Sequence, residues 1–148
     1  MRAKTNVDSI RVNTGAKRIQ VNDDGDCIVL NFADQSLPSR YFTLLEDLNT
    51  KRDAYIEKAK EIDAAKADEM ERFIAYAALN LEIHQYMREQ VDGLFGADTC
   101  KKVFGDIVPS IDLYEDFFTQ LSPYFEKYAL ERKAKLQEKY NPERTGNV

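Results

Sequence analysis

Between Ser9 and Phe32 apolar and polar residues alternate with a period of two: Ile10 and Val12, then Ile19 and Val21, then Ile28, Leu30 and Phe32. Such alternation places one set of side chains on one face of an extended chain and predicts three short strands. Asn13-Thr14-Gly15 and Asn22-Asp23-Asp24-Gly25 separate them with residues that tolerate positive φ and close hairpins. The expected product is an antiparallel β-meander over residues 9–32 with Ile28, Leu30 and Phe32 on one face. A sheet so small is marginal alone, so it must pack on helices.

The period then changes. Ser36-Leu37-Pro38-Ser39 reads as a helix start, with a hydroxyl able to cap free N–H groups and a proline tolerated in the first turn. Tyr41, Leu45, Leu48, Tyr55, Ala59 and Ile62 follow as one narrow stripe, interrupted at Arg52. Residues 63–68 lack large apolar side chains, which predicts a bend or short connection. From about Asp68 to Leu94 two stripes run together, Met70, Ile74, Ala77, Leu81, His84 and Val91 beside Phe73, Tyr76, Leu79, Ile83 and Tyr86. A helix apolar on two sides is expected between partners, as the central helix of a bundle.

Gly93 and Gly96 give that helix a stop, and residues 98–105 read as a short helix ending at Gly105. Ser110 is a good cap for a last helix carrying Ile111, Tyr114, Phe117, Phe118 and Leu121, with Ser122-Pro123 placed to restart or kink it before Tyr124, Phe125, Tyr128 and Leu136. Beyond Tyr128 the chain is mostly charged, which predicts a solvated end or one waiting for a partner. The expected architecture is α+β and mainly α. It is a single domain over 1–140, with a meander at 9–32 and a helical bundle at 36–140, and residues 141–148 form a disordered tail.

Composition narrows the function. With 148 residues, 43% apolar and 32% charged, the chain can bury one good core without staples. Cys27 and Cys100 lie far apart with no zinc-like spacing, pointing to a reducing compartment and to neither a disulfide scaffold nor a metal site. The formal charge of −5 speaks against nucleic-acid binding, and no apolar run suits a signal peptide or a membrane span. The expected partner is protein.

Candidate chemistry is sparse. His84 is the only histidine, and with no serine or cysteine nucleophile in a recognisable setting it reads as a hydrogen-bonded packing residue. A small enzyme using His84 is the alternative from another class. Asp23-Asp24-Gly25-Asp26 fails as a calcium loop, because Gln20 falls at the first ligand position and Asn31 where the bidentate glutamate belongs. No catalytic, cofactor or metal site is therefore expected. The one oddity is aromatic density near the C-terminus. Tyr114, Phe117, Phe118, Leu121, Tyr124, Phe125 and Tyr128 cover too wide an arc for one helix face, and their outward subset is the expected protein-binding surface.

The stretch from Arg11 to Gly25, together with Leu94-Phe95-Gly96, residues 100–105 and Phe117-Phe118, resembles tail assembly chaperones of long-tailed phages and prophages of Gram-positive bacteria. The resemblance implies a protein in the cytoplasm of a bacterial host that binds the helical tape measure protein, or another tail protein, and keeps it soluble while the tail assembles. It also implies self-association, and it brings no catalytic residue with it. The competing reading within the same setting is a structural tail or head-tail component retained in the virion.

Overall fold

A computed structural model of the chain describes residues 6–65 and 68–140. Two strands, β1 (Lys17–Gln20) and β2 (Cys27–Leu30), precede four helices: α1 (Leu37–Ala64), α2 (Glu69–Phe95), α3 (Thr99–Phe104) and α4 (Ile111–Tyr140). The protein is thus mainly α, with a small antiparallel β part at the N-terminal end. The expected tail at 141–148 and part of the expected connection, residues 66–67, lie outside the described residues.

The hairpin forms as its turn residues dictate. Lys17 pairs with Leu30 and Gln20 with Cys27, and the turn between them is organised by Asn22. Its Oδ1 accepts from the N–H groups of Asp24 and Asp26 at 2.9 and 3.1 Å. Its Nδ2 donates to the Lys102 carbonyl at 2.9 Å, which ties the turn to the end of α3. Ile28, Leu30 and Phe32 are all buried, on the face expected to pack against helices.

The third strand expected around Ile10 and Val12 is absent. Ile10 is 93% and Val12 82% exposed, and residues 6–16 run as irregular chain. The turn chemistry is present, since Asn13 Oδ1 accepts from the Gly15 N–H at 2.9 Å and Gly15 sits at φ 67°. What is missing is something to bury against. Within β1 only Ile19 is partly covered, so a strand outside it would have left Ile10 and Val12 in water.

Leu37, Tyr41, Leu44 and Leu48 form the buried stripe of α1. Leu44 rather than Leu45 is the more deeply placed of that pair. Ser36 stands at the N-cap but does not cap; its Oγ donates back to Asp34 Oδ1 at 2.6 Å, and Asp34 also accepts from the Ser36 N–H. The apolar stripe breaks at Arg52 because α1 there faces the start of α4, where Arg52 pairs with Glu115 at 3.5 Å.

Asp68 caps α2 by accepting from the Glu71 N–H at 2.8 Å, with Glu69 and Glu71 well placed against the positive end of the helix dipole. Near the other end, Asp92 accepts from the Cys100 N–H and so caps α3. The α2 helix packs on α1, α3, α4 and β2 and is central as expected.

Each of its two stripes is buried only in part. Leu79, Ile83, His84, Met87 and Val91 are buried, whereas Met70, Phe73, Ile74 and Leu81 are exposed.

The α4 helix continues through Pro123 as one 30-residue element, so Ser122-Pro123 does not restart it. Proline removes one helical N–H at that turn. One turn back, Tyr41 of α1 donates its hydroxyl to the Phe118 carbonyl at 3.2 Å and lies 2.8 Å from Ser122 Oγ. That clamp holds α4 to α1 where the helix is locally weakest.

Candidate functional site

The aromatic cluster divides sharply by depth. Tyr114, Phe117, Phe118 and Leu121 are buried, and this corrects their place among the expected binding residues: they are core. Phe117 and Phe118 pack edge-on or tilted against Phe95, Phe104 and Tyr41 rather than facing solvent. Tyr124, Phe125 and Tyr128, one to two turns further along α4, are only partly covered. The arc that seemed too wide for one face is filled because α1, α3 and the hairpin reach α4 from different sides.

At the bottom of the core His84 and Tyr114 meet at 2.6 Å between Nδ1 and the hydroxyl, with the Cys100 thiol 3.6 Å from the same hydroxyl. Burial holds the Tyr114 phenol far above its usual range and depresses the His84 imidazolium, the latter with help from Arg88. Both are therefore uncharged at neutral pH and share one hydrogen bond. Burial also pushes the Cys100 thiol up to about 11, so it stays protonated. The trio is a satisfied neutral network of the kind a core needs.

A pH dependence follows. The unfolded chain takes up the His84 proton near its ordinary pKa of 6.5 and the folded chain only at lower pH. Stability is thus fully present above that value and falls as pH drops through it toward the folded pKa. His84→Gln is expected to flatten this limb of the urea midpoint plotted against pH between about 7 and 5. Equal slopes for the variant and the parent would show that His84 is not the titrating group.

A surface able to receive another chain lies where α4 outruns the rest of the fold. Every residue from Ala129 to Tyr140 is exposed. A groove of about 670 Å³ runs between this extension and the start of α1. Phe125 and Tyr128 line its inner end, Leu136 and Tyr140 its outer end, and Pro38 the α1 side. The inner aromatics are held in place: Phe125 stacks on Tyr41 at 4.0 Å and Tyr128 on Phe32 at 4.5 Å. Arg132 and Lys133 also line the groove, with Lys135 and Lys139 on the same extension.

A second apolar surface is on α2, and sequence reasoning missed it by assigning it to the core. The Ile111 N–H, at the start of α4, donates to Asn80 Oδ1 at 3.3 Å, so α4 covers α2 only from about Asn80 onward. Ahead of that point Met70 is 66%, Phe73 71% and Ile74 61% exposed, with Ala77 exposed between them and Leu81.

Comparison with protein-family models, curated proteins and solved structures finds no match to this chain. The two surfaces and the buried network therefore carry the functional reading. Among the described residues no group of three or more His, Cys, Asp or Glu side chains is placed to hold a metal ion, and no helix is long and apolar enough to cross a membrane.

Of the seven expected binding residues, Phe125 and Tyr128 line the groove, while Tyr124 faces the hairpin, with Lys17 Nζ 5.5 Å above its ring. Leu136, which the sequence placed on the last helix but not among the binding residues, and Tyr140 complete the groove. Their signal was the spacing Phe125, Tyr128, Ala129, Arg132, Leu136 and Tyr140, the core-facing line of α4 continued beyond the core.

Proposed function

We propose that this protein is a non-enzymatic tail assembly chaperone of a long-tailed phage, binding an amphipathic helical stretch of the tape measure protein and keeping it soluble in the bacterial cytoplasm until the tail assembles. The observation that carries the reading is the groove along the C-terminal end of α4, apolar along its length and edged by Arg132 and Lys133. A groove of that shape takes the apolar face of a helix whose anchors recur every three or four residues. Its aromatic end is stacked in place before anything binds, which lowers the ordering cost of association.

The groove also accounts for a protein that would otherwise waste a helix. More than two turns of α4 lie outside the core, and among the described residues nothing covers Leu136 and Tyr140. Support from the sequence comes from the resemblance described above, which implies a helical client. The neutral His84–Tyr114–Cys100 network supports a packing role for the one histidine.

The test is co-purification of the tape measure protein with the chain and with Leu136→Asp and Tyr140→Ala variants. Each variant is expected to weaken capture by about 1–2 kcal/mol, the scale of a contributing interface residue, while leaving the thermal midpoint within a few degrees of the parent. Undiminished capture by both variants would exclude the groove as the binding site. Finding the protein in purified virions would favour the structural-component reading instead.

A further inference from the structure

We propose that the helical segment seated in the α4 groove is acidic along one flank, and that Lys17, Lys127 and Lys135 select it by charge. The inference rests on the helix-binding reading of that groove and names the chemistry of its occupant.

The groove has a neighbour. A cavity of about 580 Å³ opens between α4 and the chain that leads into β1. Gln35, Tyr128 and Arg132 line both spaces, so the two form one continuous surface. Its character changes around α4. Tyr128, Arg132 and Leu136 line the groove, and the residue before each of them, Lys127, Glu131 and Lys135, lines the cavity, about 100° round the helix. Lys17 reaches the same cavity from β1, past the Asn13-Thr14-Gly15 turn, with its ammonium 5.5 Å above the Tyr124 ring. Cations from two separate elements therefore face one space.

The fold does not use these charges. Among the described residues none of Lys17, Lys127, Arg132 and Lys135 makes a salt bridge. Asp34, in the turn beside Gln35, is already engaged by the N–H and the hydroxyl of Ser36. Glu131 is the one carboxylate among the residues lining the cavity, against four cations. In a chain of formal charge −5 such a positive excess is local, and it makes the cavity a place where an anion is attracted.

The kind of anion follows from the shape. An apolar track with a basic flank is complementary to a helix with an apolar stripe and an acidic flank. Lys127 and Lys135 are separated by eight helical steps, about 12 Å at about 1.5 Å per residue. Carboxylates two turns apart in the occupant, at i and i+7, thus each meet a cation. One placed midway meets Glu131 and is disfavoured, and a basic flank is repelled by both lysines. A nucleic acid fits less well, because the apolar track beside the cavity offers its phosphates no partner.

Fluorescence anisotropy on the full chain tests this with three synthetic four-turn amphipathic peptides. They are identical along the apolar line and carry Glu, Gln or Lys at the two flank positions. The Glu peptide is expected to bind about fivefold tighter than the Gln peptide and the Lys peptide more weakly than either, with the spread narrowing as salt rises from about 0.05 to about 0.5 M. Lys127→Glu combined with Lys135→Glu should reverse the order, and both positions are exposed. Lys127→Gln combined with Lys135→Gln should abolish the preference, and this pair decides the matter if the reversed variant fails to fold. Lys17→Gln should narrow the preference, whereas Leu136→Asp should weaken all three peptides alike.

Equal binding of the three peptides, an order that survives charge reversal, no binding of any peptide, or tighter binding of a single-stranded oligonucleotide than of the Glu peptide would each overturn the proposal. Tape measure capture is read separately. Peptide discrimination without capture removes the tape measure reading alone, and capture with equal binding of the peptides removes this inference alone.

Discussion

Tyr114→Ala is expected to lower stability by about 3–5 kcal/mol, the range for removing a buried aromatic ring. Tyr114 is fully buried, with its ring 4.9 Å from that of Phe104. Truncation opens a cavity under α3 and simultaneously strands His84 Nδ1, which loses its 2.6 Å partner in a place water reaches poorly. Tyr114→Phe separates the two losses. It preserves the packing and removes only the hydroxyl, so it should cost about 1–3 kcal/mol, the penalty for one unsatisfied buried polar atom. Urea unfolding of both variants gives the two numbers. A Tyr114→Ala protein with the parent's midpoint but impaired tape measure capture would overturn its assignment to the core.

This pair also marks how far the sequence could be read. His84 as a packing histidine was legible from its stripe and from the absence of a nucleophile nearby. Its partner was not, because Tyr114 lies 30 residues away and only the packing of α4 on α2 joins them. The helices themselves were legible almost throughout, since periodicity, caps and glycines are local signals.

The strand count was not legible. Ile10 and Val12 alternate as well as Ile28 and Leu30 do, but a strand needs a surface to bury against as well as a pattern. The same limit explains the binding surfaces. Periodicity showed that Met70, Phe73 and Ile74 shared a face, and a buried face is the commoner use of such a stripe. Whether a neighbour covers it depends on where α4 begins, and that is fixed by the Asn80–Ile111 contact across 31 residues. The wide aromatic arc misled in the opposite sense. Three elements converge on α4, so side chains pointing in several directions can all be inside.

The hairpin offers the second large effect, because it sets two similar-looking apolar residues against each other. Leu30 is fully buried at the end of β2, and Ile10, on the segment expected to pair on the other edge of β1, is almost fully exposed. Leu30→Ala should cost about 2–5 kcal/mol. The loss comes from the main core, since Leu30 belongs to the same buried cluster as Met87, Val91 and Phe118. Ile10→Ala should change stability by no more than about 0.5 kcal/mol, as for other exposed positions. The contrast also tests the turn: Asn22→Ala removes the side chain that joins the hairpin to the Lys102 carbonyl and should fall between the two. Denaturant unfolding of the three variants orders them. If Ile10→Ala were as damaging as Leu30→Ala, the N-terminal segment would be a strand of the folded sheet after all, and the exposed irregular chain described for residues 6–16 would be wrong.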